Sequence, residues 1–429
     1  MDKREILIVG AGISGLVAGR RLQQEGMRVG IIDARDRVGG RIASFREGGA
    51  TLEAGPEFIH GHLKETLALL KEFQIPFIEA AGKTYYARSG GFEQHSGTEE
   101  YWDILMSKMK ALKSDQPFMQ FLLENFKGEE FRRLRQQAIR FAEGFDLADV
   151  NTVSTVSLIR EWELEESIQY RIPGGYGQIT DALSAEFILS GGKIFLNRQV
   201  KRLQWSANDV GLTTADQHKF QAKKVVITLP VGVFIRAQDP GNYPVLFSPE
   251  IPEKMAALQQ IGYGTVIKIL TQWKTAFWKS KIPDAQFIFS QGDIPTWWTQ
   301  NPADSNVLTG WVGGPAAAGL SELPEERLLK IAMENLAAIF DISFPELKNL
   351  LLYARSINWE KEIFTRGAYS FSLAGYEKAR ATWRASLEKT LYFAGEACYE
   401  GPHGGTVEAA IISGMETAAE VLQDCKNSR

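Results

Sequence analysis

Ile6-Leu7-Ile8-Val9-Gly10-Ala11-Gly12-Ile13-Ser14-Gly15 opens the chain with a short apolar run that passes at once into G-x-G-x-x-G. The four apolar residues have the length and composition of a buried strand, and the glycines form the turn into a helix. Gly10 lets the chain turn tightly, Gly12 keeps side-chain atoms away from a pyrophosphate, and Gly15 lets the helix lie close on the sheet. The first turn of that helix, which includes Ser14, presents backbone N–H groups and a positive dipole end to phosphates.

The helix continues through Leu16, Val17, Ala18 and Leu22, breaks near Gly26, and gives way to a predicted second strand, Arg28 to Ile32, closed by Asp33. An acidic residue at this point can accept hydrogen bonds from adenosine ribose hydroxyls. In a chain with 40 Gly the glycine motif alone is weak; with a strand before it, a helix after it and Asp33 in register it marks a dinucleotide site. Asp33-Ala34-Arg35-Asp36-Arg37-Val38-Gly39-Gly40-Arg41 then supplies a second glycine turn flanked by arginines. A simple nicotinamide domain does not need this turn, whereas a flavin dinucleotide held along its whole length does. Gly39-Gly40 admits close backbone approach, and Arg41 can pair with phosphate oxygens.

The composition sets limits on the rest. With 429 residues, 44% of them hydrophobic and 23% charged, the chain has core enough for two or three domains of a globular protein. A formal charge of −4 argues against a nucleic-acid surface. The 5 His and 2 Cys, Cys398 and Cys425, show no paired spacing, so neither a metal site nor a disulfide framework is expected. Met1 to Glu5 lead straight into the first strand, and no apolar run reaches the roughly 18 residues of a membrane span. The expectation is a cytoplasmic protein without a membrane anchor, ending in a short polar tail, Gln423 to Arg429.

Beyond the second glycine turn, Glu53-Ala54-Gly55-Pro56-Glu57-Phe58-Ile59-His60-Gly61 is compact and glycine-punctuated. From Tyr101 to Glu166 the three-to-four spacing of apolar residues such as Phe118, Phe121, Leu122 and Phe126 predicts a helical insertion whose aromatics read first as core. Ile172-Pro173-Gly174-Gly175-Tyr176-Gly177 marks a boundary. Strands are predicted at Gly191 to Leu196, Gln199 to Leu203, Lys224 to Pro230 and Gly262 to Leu270, with more around Trp297-Trp298 and Trp311 to Gly314 and an amphipathic helix from Pro324 to Phe340. The Gly262 to Leu270 run contains Lys268, which is costly to bury unless its charge is paired or its pKa falls, and which otherwise faces solvent.

With Gly39-Gly40-Arg41 followed by Gly55 through His60-Gly61, the chain resembles the flavin-containing amine oxidase family, which includes monoamine, polyamine and L-amino acid oxidases and lysine-specific histone demethylases. The resemblance implies an α/β fold: a Rossmann-like FAD-binding domain of GR2 type with a second, substrate domain of helices on a mixed sheet. It implies a division into 1–80, 173–240 and 385–429 for FAD and 81–172 and 241–384 for substrate. Cofactor contacts are expected at Gly10, Gly12, Ser14, Gly15, Asp33, Ala34, Arg35, Gly39, Gly40, Arg41, Gly55, Pro56, Glu57, Phe58, Val200, Trp359, Gly395, Glu396, Gly405, Thr406 and Val407. On its residues alone His60 reads as structural; the resemblance places it near the flavin on the substrate side.

Lys268 stands where the family carries a lysine that reaches flavin N5 through a water. Asn358-Trp359 followed by Gly367-Ala368-Tyr369 matches the family's tryptophan and G-A-Y, although the family's Asp-Pro between them is Glu362-Ile363 here. Ala368 replaces the cysteine that tethers flavin in some members, which implies non-covalent FAD. Tyr369 matches one aromatic wall of the family's amine cage, while the second wall is Thr406 instead of tyrosine. The implied reaction transfers hydride from an amine α-carbon to flavin N5, hydrolyses the imine, and reoxidises the flavin with dioxygen to give hydrogen peroxide. A flavin desaturase, a protoporphyrinogen-type oxidase, or an amine dehydrogenase with another acceptor shares the fold. Neither the amine nor the oligomeric state can be read from the sequence.

Overall fold

The computed structural model describes residues 2–88, 91–94, 101–164, 168–235, 245–376 and 378–427. Five parallel strands form the nucleotide-binding sheet, in the spatial order Lys193–Phe195, Val29–Ile32, Ile6–Val9, Lys224–Ile227 and Leu391–Phe393. All four residues of the central strand Ile6–Val9 are buried, as a parallel strand covered on both faces requires. Each such aliphatic side chain contributes roughly 1.5–3 kcal/mol by leaving water. The helix Ile13–Gln24 buries Leu16, Val17, Ala18 and Leu22 in a core shared with the helices Gly177–Leu189 and Val407–Asn427.

A second sheet runs Asp2–Lys3, Lys219–Ala222, Asp209–Thr214, Val200–Ser206, Leu246–Ser248. Its last strand, and the helix Pro252–Leu258 behind it, fall in the span 241–384 that the expected division gives to substrate. They pack instead with the nucleotide-binding half, because Ile251, Leu258 and Ile261 share a core with Val225, Ile227 and Phe393, together with Trp383 from the helix Ala379–Arg384.

The other half is built on a seven-stranded mixed sheet in the order Leu351–Asn358, Val266–Trp273, Val307–Gly313, Thr296–Trp298, Ala285–Phe289, Lys83–Arg88, Gly91–Gln94. The helix Glu325–Phe340 covers it with Leu328, Ile331, Ala332 and Leu336. The stretch expected as one strand from Gly262 to Leu270 is two strands in two sheets. Ile261–Tyr263 pairs with Ser370–Ser372, and Val266–Trp273 lies between Val307–Gly313 and Leu351–Asn358. The switch is at Gly264, whose N–H donates to the Tyr369 carbonyl (2.9 Å) and whose carbonyl accepts from Ala368 (2.8 Å). Those two bonds hold the backbone of Ala368-Tyr369 in place.

The helical insertion forms as expected, with Trp102–Lys110, Phe118–Asn125, Arg132–Gly144 and Thr155–Trp162 around Phe118, Phe121, Leu122 and Phe126; its expected end at Glu166 lies outside the described residues. The expected polar tail is helical through Asn427, because Asp424 accepts from the Tyr392 hydroxyl (3.0 Å) and pairs with Lys389 (3.1 Å). Residues 428–429 lie outside the described ones.

Candidate active site

A cavity of about 570 Å³ is lined by residues of both halves, and it touches each candidate site residue named from the sequence except Gly15. That volume is within the range of cofactor and ligand sites. Gly15 lies beneath the wall: a Cβ there would come within 2.0 Å of the Gly10 carbonyl oxygen, so the helix sits on the turn with no room for a side chain. Gly12 is the opposite case, for a Cβ there would meet nothing within 4 Å. The Ser14 hydroxyl at the same helix end is buried and has no hydrogen-bond partner among the described residues. Open space over Gly12, an unanswered hydroxyl and the N–H groups of a helix start make a cradle of the kind phosphates occupy. The residues present therefore fit a dinucleotide, held by this turn and by the loop Gly39-Gly40, which is strapped to it through Gly39 N–H to Ala11 O (2.8 Å).

The charged residues of this end have partners the sequence does not announce. Asp33 accepts the Ala11 N–H (2.7 Å) and the Arg35 N–H (2.8 Å), so its carboxylate also braces the glycine turn. Arg35 pairs with Glu362 (2.6 Å) and donates to the Thr365 hydroxyl (3.0 Å), so the residue that departs from the family's aspartate keeps a carboxylate, and it is engaged with this arginine. Arg41, expected on phosphate, donates one Nη to Glu396 (2.8 Å) and to the Ala368 carbonyl (2.5 Å). Burial pushes the Glu396 carboxyl up, but Arg41, Arg380 and the Ser370 hydroxyl outweigh it and hold the group below the usual carboxylate range. Val200 stands at the start of its strand on the cavity wall beside Arg198, whose side chain pairs with Asp216 (2.9 Å).

At the other end, Lys268 is 1% exposed on an interior strand of the mixed sheet, opposite Trp311 and Ile357. This settles the sequence alternative in favour of a buried, paired charge. Its ammonium donates to Glu57 (2.9 Å) and to the Gly55 carbonyl (3.0 Å) and lies over the Trp298 ring at 5.3 Å. Glu57, expected among the cofactor contacts, is thus the counter-ion of Lys268. It is also braced by Gln300 (2.7 Å) and by Arg171 at 3.6 Å. Burial raises the Glu57 carboxyl, and the two cations more than reverse that, so the carboxylate is ionised.

His60 stands edge-on to Phe145 (5.2 Å), with Gln169 3.3 Å from its Nδ1; burial pushes the imidazole down to about 4, leaving it neutral at pH 7. Trp359 donates its indole N–H to the Ala54 carbonyl (2.9 Å) and backs the same wall. The Tyr369 ring packs against Gly405, and its hydroxyl donates to the Phe145 carbonyl. Thr406, expected to face substrate, commits its hydroxyl to the helix that follows. It donates to the His403 carbonyl (2.7 Å) and accepts the Ala409 N–H (3.1 Å), which makes it the N-cap of Val407–Asn427. A threonine directly before the apolar-periodic run that starts at Val407 was the available signal. Sequence reasoning missed Phe145, Glu161 and Trp162 of the insertion and Phe287, Trp298 and Trp311 of the sheet, all on the cavity wall. Among the described residues no cluster of His, Cys, Asp and Glu is arranged to hold a metal ion, and no helix is long and apolar enough to cross a membrane.

The family model of flavin containing amine oxidoreductases matches residues 13–422. The chain belongs to that family. The family implies a flavin cofactor and an oxidoreductase acting on amines, and the cradle described above suits such a cofactor. Among its relatives, lysine-specific histone demethylase 1B of Mus musculus is 26% identical over 97% of this chain, which spans only 53% of that protein. Putrescine oxidase of Kocuria rosea is 25% identical over 98% of this chain and 95% of its own length. The solved structure of a wild-type putrescine oxidase bound to putrescine superposes with a TM-score of 0.82 at 22% identity, covering 98% of this chain and 99% of the other. This likeness extends the amine oxidase fold over both halves.

Proposed function

We propose that this chain is an FAD-dependent oxidase of small-molecule amines that holds its cofactor non-covalently and uses dioxygen as electron acceptor, producing hydrogen peroxide. The observation that carries this reading is the buried Lys268–Glu57 pair (2.9 Å) opening onto the same cavity as Tyr369. When bound, the flavin supplies the two-electron acceptor for the carbon–nitrogen bond. Gly10, Gly12, Ser14 and Gly39-Gly40 would hold its pyrophosphate, with Asp33, Ala34 and Val200 at the adenosine end and Gly395, Glu396 and the start of Val407–Asn427 along the middle. That helix start favours negative charge where it points.

In this reading Lys268 provides a positive charge held in place by its ion pair with Glu57, next to which dioxygen can gain electrons. Tyr369, Phe58 and Trp298 exclude water and present ring faces and edges to an amine, with neutral His60 beside them. Ala368 lies on the wall with no nucleophile, and Cys398 lies off it, buried with its thiol pushed up to about 12, chiefly by burial. Both support a non-covalent cofactor. Cys398 is a free thiol, which suits a reducing, cytoplasmic setting.

The test is anaerobic mixing of the purified yellow protein with a panel of primary, secondary and diamine substrates. Loss of the oxidised flavin absorbance, followed on admitting air by its return with one peroxide per turnover, is the expected result. Acid precipitation should leave the colour in solution. Bleaching that air does not reverse would point to another acceptor, and no bleaching by any amine would remove the reading.

A further inference from the structure

The carboxylates on the cavity wall are Asp33, Glu57, Asp146, Glu161 and Glu396. Asp33 takes two backbone N–H groups, Glu57 holds Lys268, Glu396 holds Arg41, and Asp146 accepts the Trp162 indole N–H at 2.9 Å. Glu161 differs from the other four. It accepts one hydrogen bond, from the Ser157 hydroxyl one turn back on its own helix (3.2 Å), and no cation among the described residues forms an ion pair with it. Arg380 attracts it from farther off and Glu396 repels it.

Its carboxylate lies directly against a glycine. A methyl group on Gly404 would come within 2.7 Å of Glu161 Oε1, and one on Gly405 would come within 2.6 Å of the Tyr369 ring. Glu161 and Tyr369 therefore flank a single glycine turn, with His403 just before it and Thr406 just after. A half-satisfied, partly buried carboxylate beside an aromatic ring on the cavity wall is costly to maintain, and a cation from outside the chain would complete it.

Accepting the amine-oxidising reading above, we propose that Glu161 receives the protonated amine of the substrate beside Tyr369 and accepts one of its ammonium protons. One N–H bond of the ammonium breaks, its electron pair stays on nitrogen, and the proton bonds to the carboxylate; a neutral amine and a neutral acid result, with no electron transferred. The step matters because only the neutral amine has a lone pair to stabilise the α-carbon as that carbon is oxidised. Burial raises the Glu161 carboxyl to about 7, with Arg380 lowering it and Glu396 raising it, so the group changes protonation in the range where a base at neutral pH is effective. The other polar groups around this turn are Tyr369, Asp146 and His403; Tyr369 is held neutral by burial and by the surrounding carboxylates.

The experiment compares the wild-type holoenzyme with Glu161→Gln, which keeps the side-chain shape and removes its basicity. Flavin absorbance and the melting temperature check that the variant is folded and loaded. At pH 7 the variant should reduce its flavin with a primary amine about 10²-fold more slowly or worse, the usual scale for a lost general base. The gap should close as pH rises past the amine's own pKa, where the substrate arrives neutral. The wild-type rate should rise through about pH 7 and the variant should lack that limb. A second arm needs no turnover: benzyltrimethylammonium, a cation with no N–H, should perturb the wild-type flavin spectrum and bind at least about tenfold more weakly to the variant. Equal rates at every pH, a loss uniform across pH, or equal binding of the quaternary cation would each overturn the proposal. A wild-type enzyme that binds the cation with Glu161 but bleaches with no amine would instead count against the oxidase reading.

Discussion

At the nucleotide end of the cavity much of the wall comes from two short segments near the start of the chain, Gly10 to Ser14 and Ile32 to Arg41, and meets the ligand space largely with backbone and missing side chains; at the chamber end it is made of side chains from distant segments, among them Glu57, Phe145, Glu161, Lys268, Trp298 and Tyr369. The first end depends on what is absent, such as a Cβ on Gly12 or Gly15. The second depends on what is paired, such as Lys268 with Glu57 at 2.9 Å. A site of the first kind fails when an atom is added, and one of the second kind when a partner is taken away.

The largest expected effect lies in the chamber. Lys268→Met removes the cation and should slow reoxidation of the reduced enzyme by dioxygen about 10²–10³-fold, the scale of one preorganised charge, while anaerobic reduction by amine changes far less. Stopped-flow measurement of the two half-reactions separately decides this. Equal slowing of both would make Lys268 a packing or substrate residue and erase its distinction from the structural lysines. The double variant Lys268→Met with Glu57→Gln removes both charges; it should regain stability relative to the single variant without regaining the rate.

Next come the two glycines, which break the comparison most directly. Gly15→Ala forces a methyl against the Gly10 carbonyl (2.0 Å) and should cost about 3 kcal/mol of unfolding free energy, near the upper end for overpacking. Gly12→Ala meets no protein atom within 4 Å; it should leave the flavin-free protein as stable as the parent and weaken flavin binding. Urea unfolding and flavin titration separate the two effects. A stable Gly15→Ala that binds flavin, or a Gly12→Ala that destabilises the flavin-free chain, would show that the cradle is not built by exclusion.

The smallest effect belongs to Tyr369. Its hydroxyl bonds to the Phe145 carbonyl and its ring packs on the Gly405 turn. Tyr369→Phe should change the rate only modestly. Tyr369→Ala should raise KM for amines about 2- to 30-fold, the range of one lost cation–π face, with flavin still bound. Unchanged KM values across accepted amines would leave the ring a packing element.

This contrast also explains what could be read from the chain beforehand. The strand Ile6–Val9, the glycine turn and Asp33 are local in sequence, so spacing alone carries their geometry. Lys268 was visible because a charge inside an apolar run is anomalous, but its partner Glu57 stands 211 positions away and its alternation gives no hint of the pairing. Arg35 and Glu362 are 327 apart, so their ion pair could not be read from either stretch alone. Phe145 and Glu161 were hidden for another reason. Both lie in a helical insertion where the same periodicity serves the core around Phe118 and Phe126, and periodicity does not say which flank of a helix faces a cavity. The single strand expected across Gly264 became two because backbone bonds to Ala368 and Tyr369, far along the chain, redirect it.

The carboxylate of Glu408 gives the fold a temporal order. It accepts the N–H groups of Glu65 (2.8 Å) and Thr66 (2.7 Å) and the Thr66 hydroxyl (2.7 Å), so the first turn of the last helix satisfies the first turn of the helix Lys64–Glu72. The edge strand Leu391–Phe393 likewise closes onto Lys224–Ile227. A chain made only as far as residue 390 carries four of the five strands of the nucleotide-binding sheet and lacks the part of the cavity wall formed by Gly395, Glu396 and the turn Gly404 to Val407. It still shows an open strand edge and unanswered amide groups at Thr66 until the final segment arrives. Synthesis of the segment that carries Leu391–Phe393 and Glu408 therefore closes this sheet and the start of the helix Lys64–Glu72, and a nascent protein stalled short of it presents a sheet edge on which chaperones or another nascent copy can act.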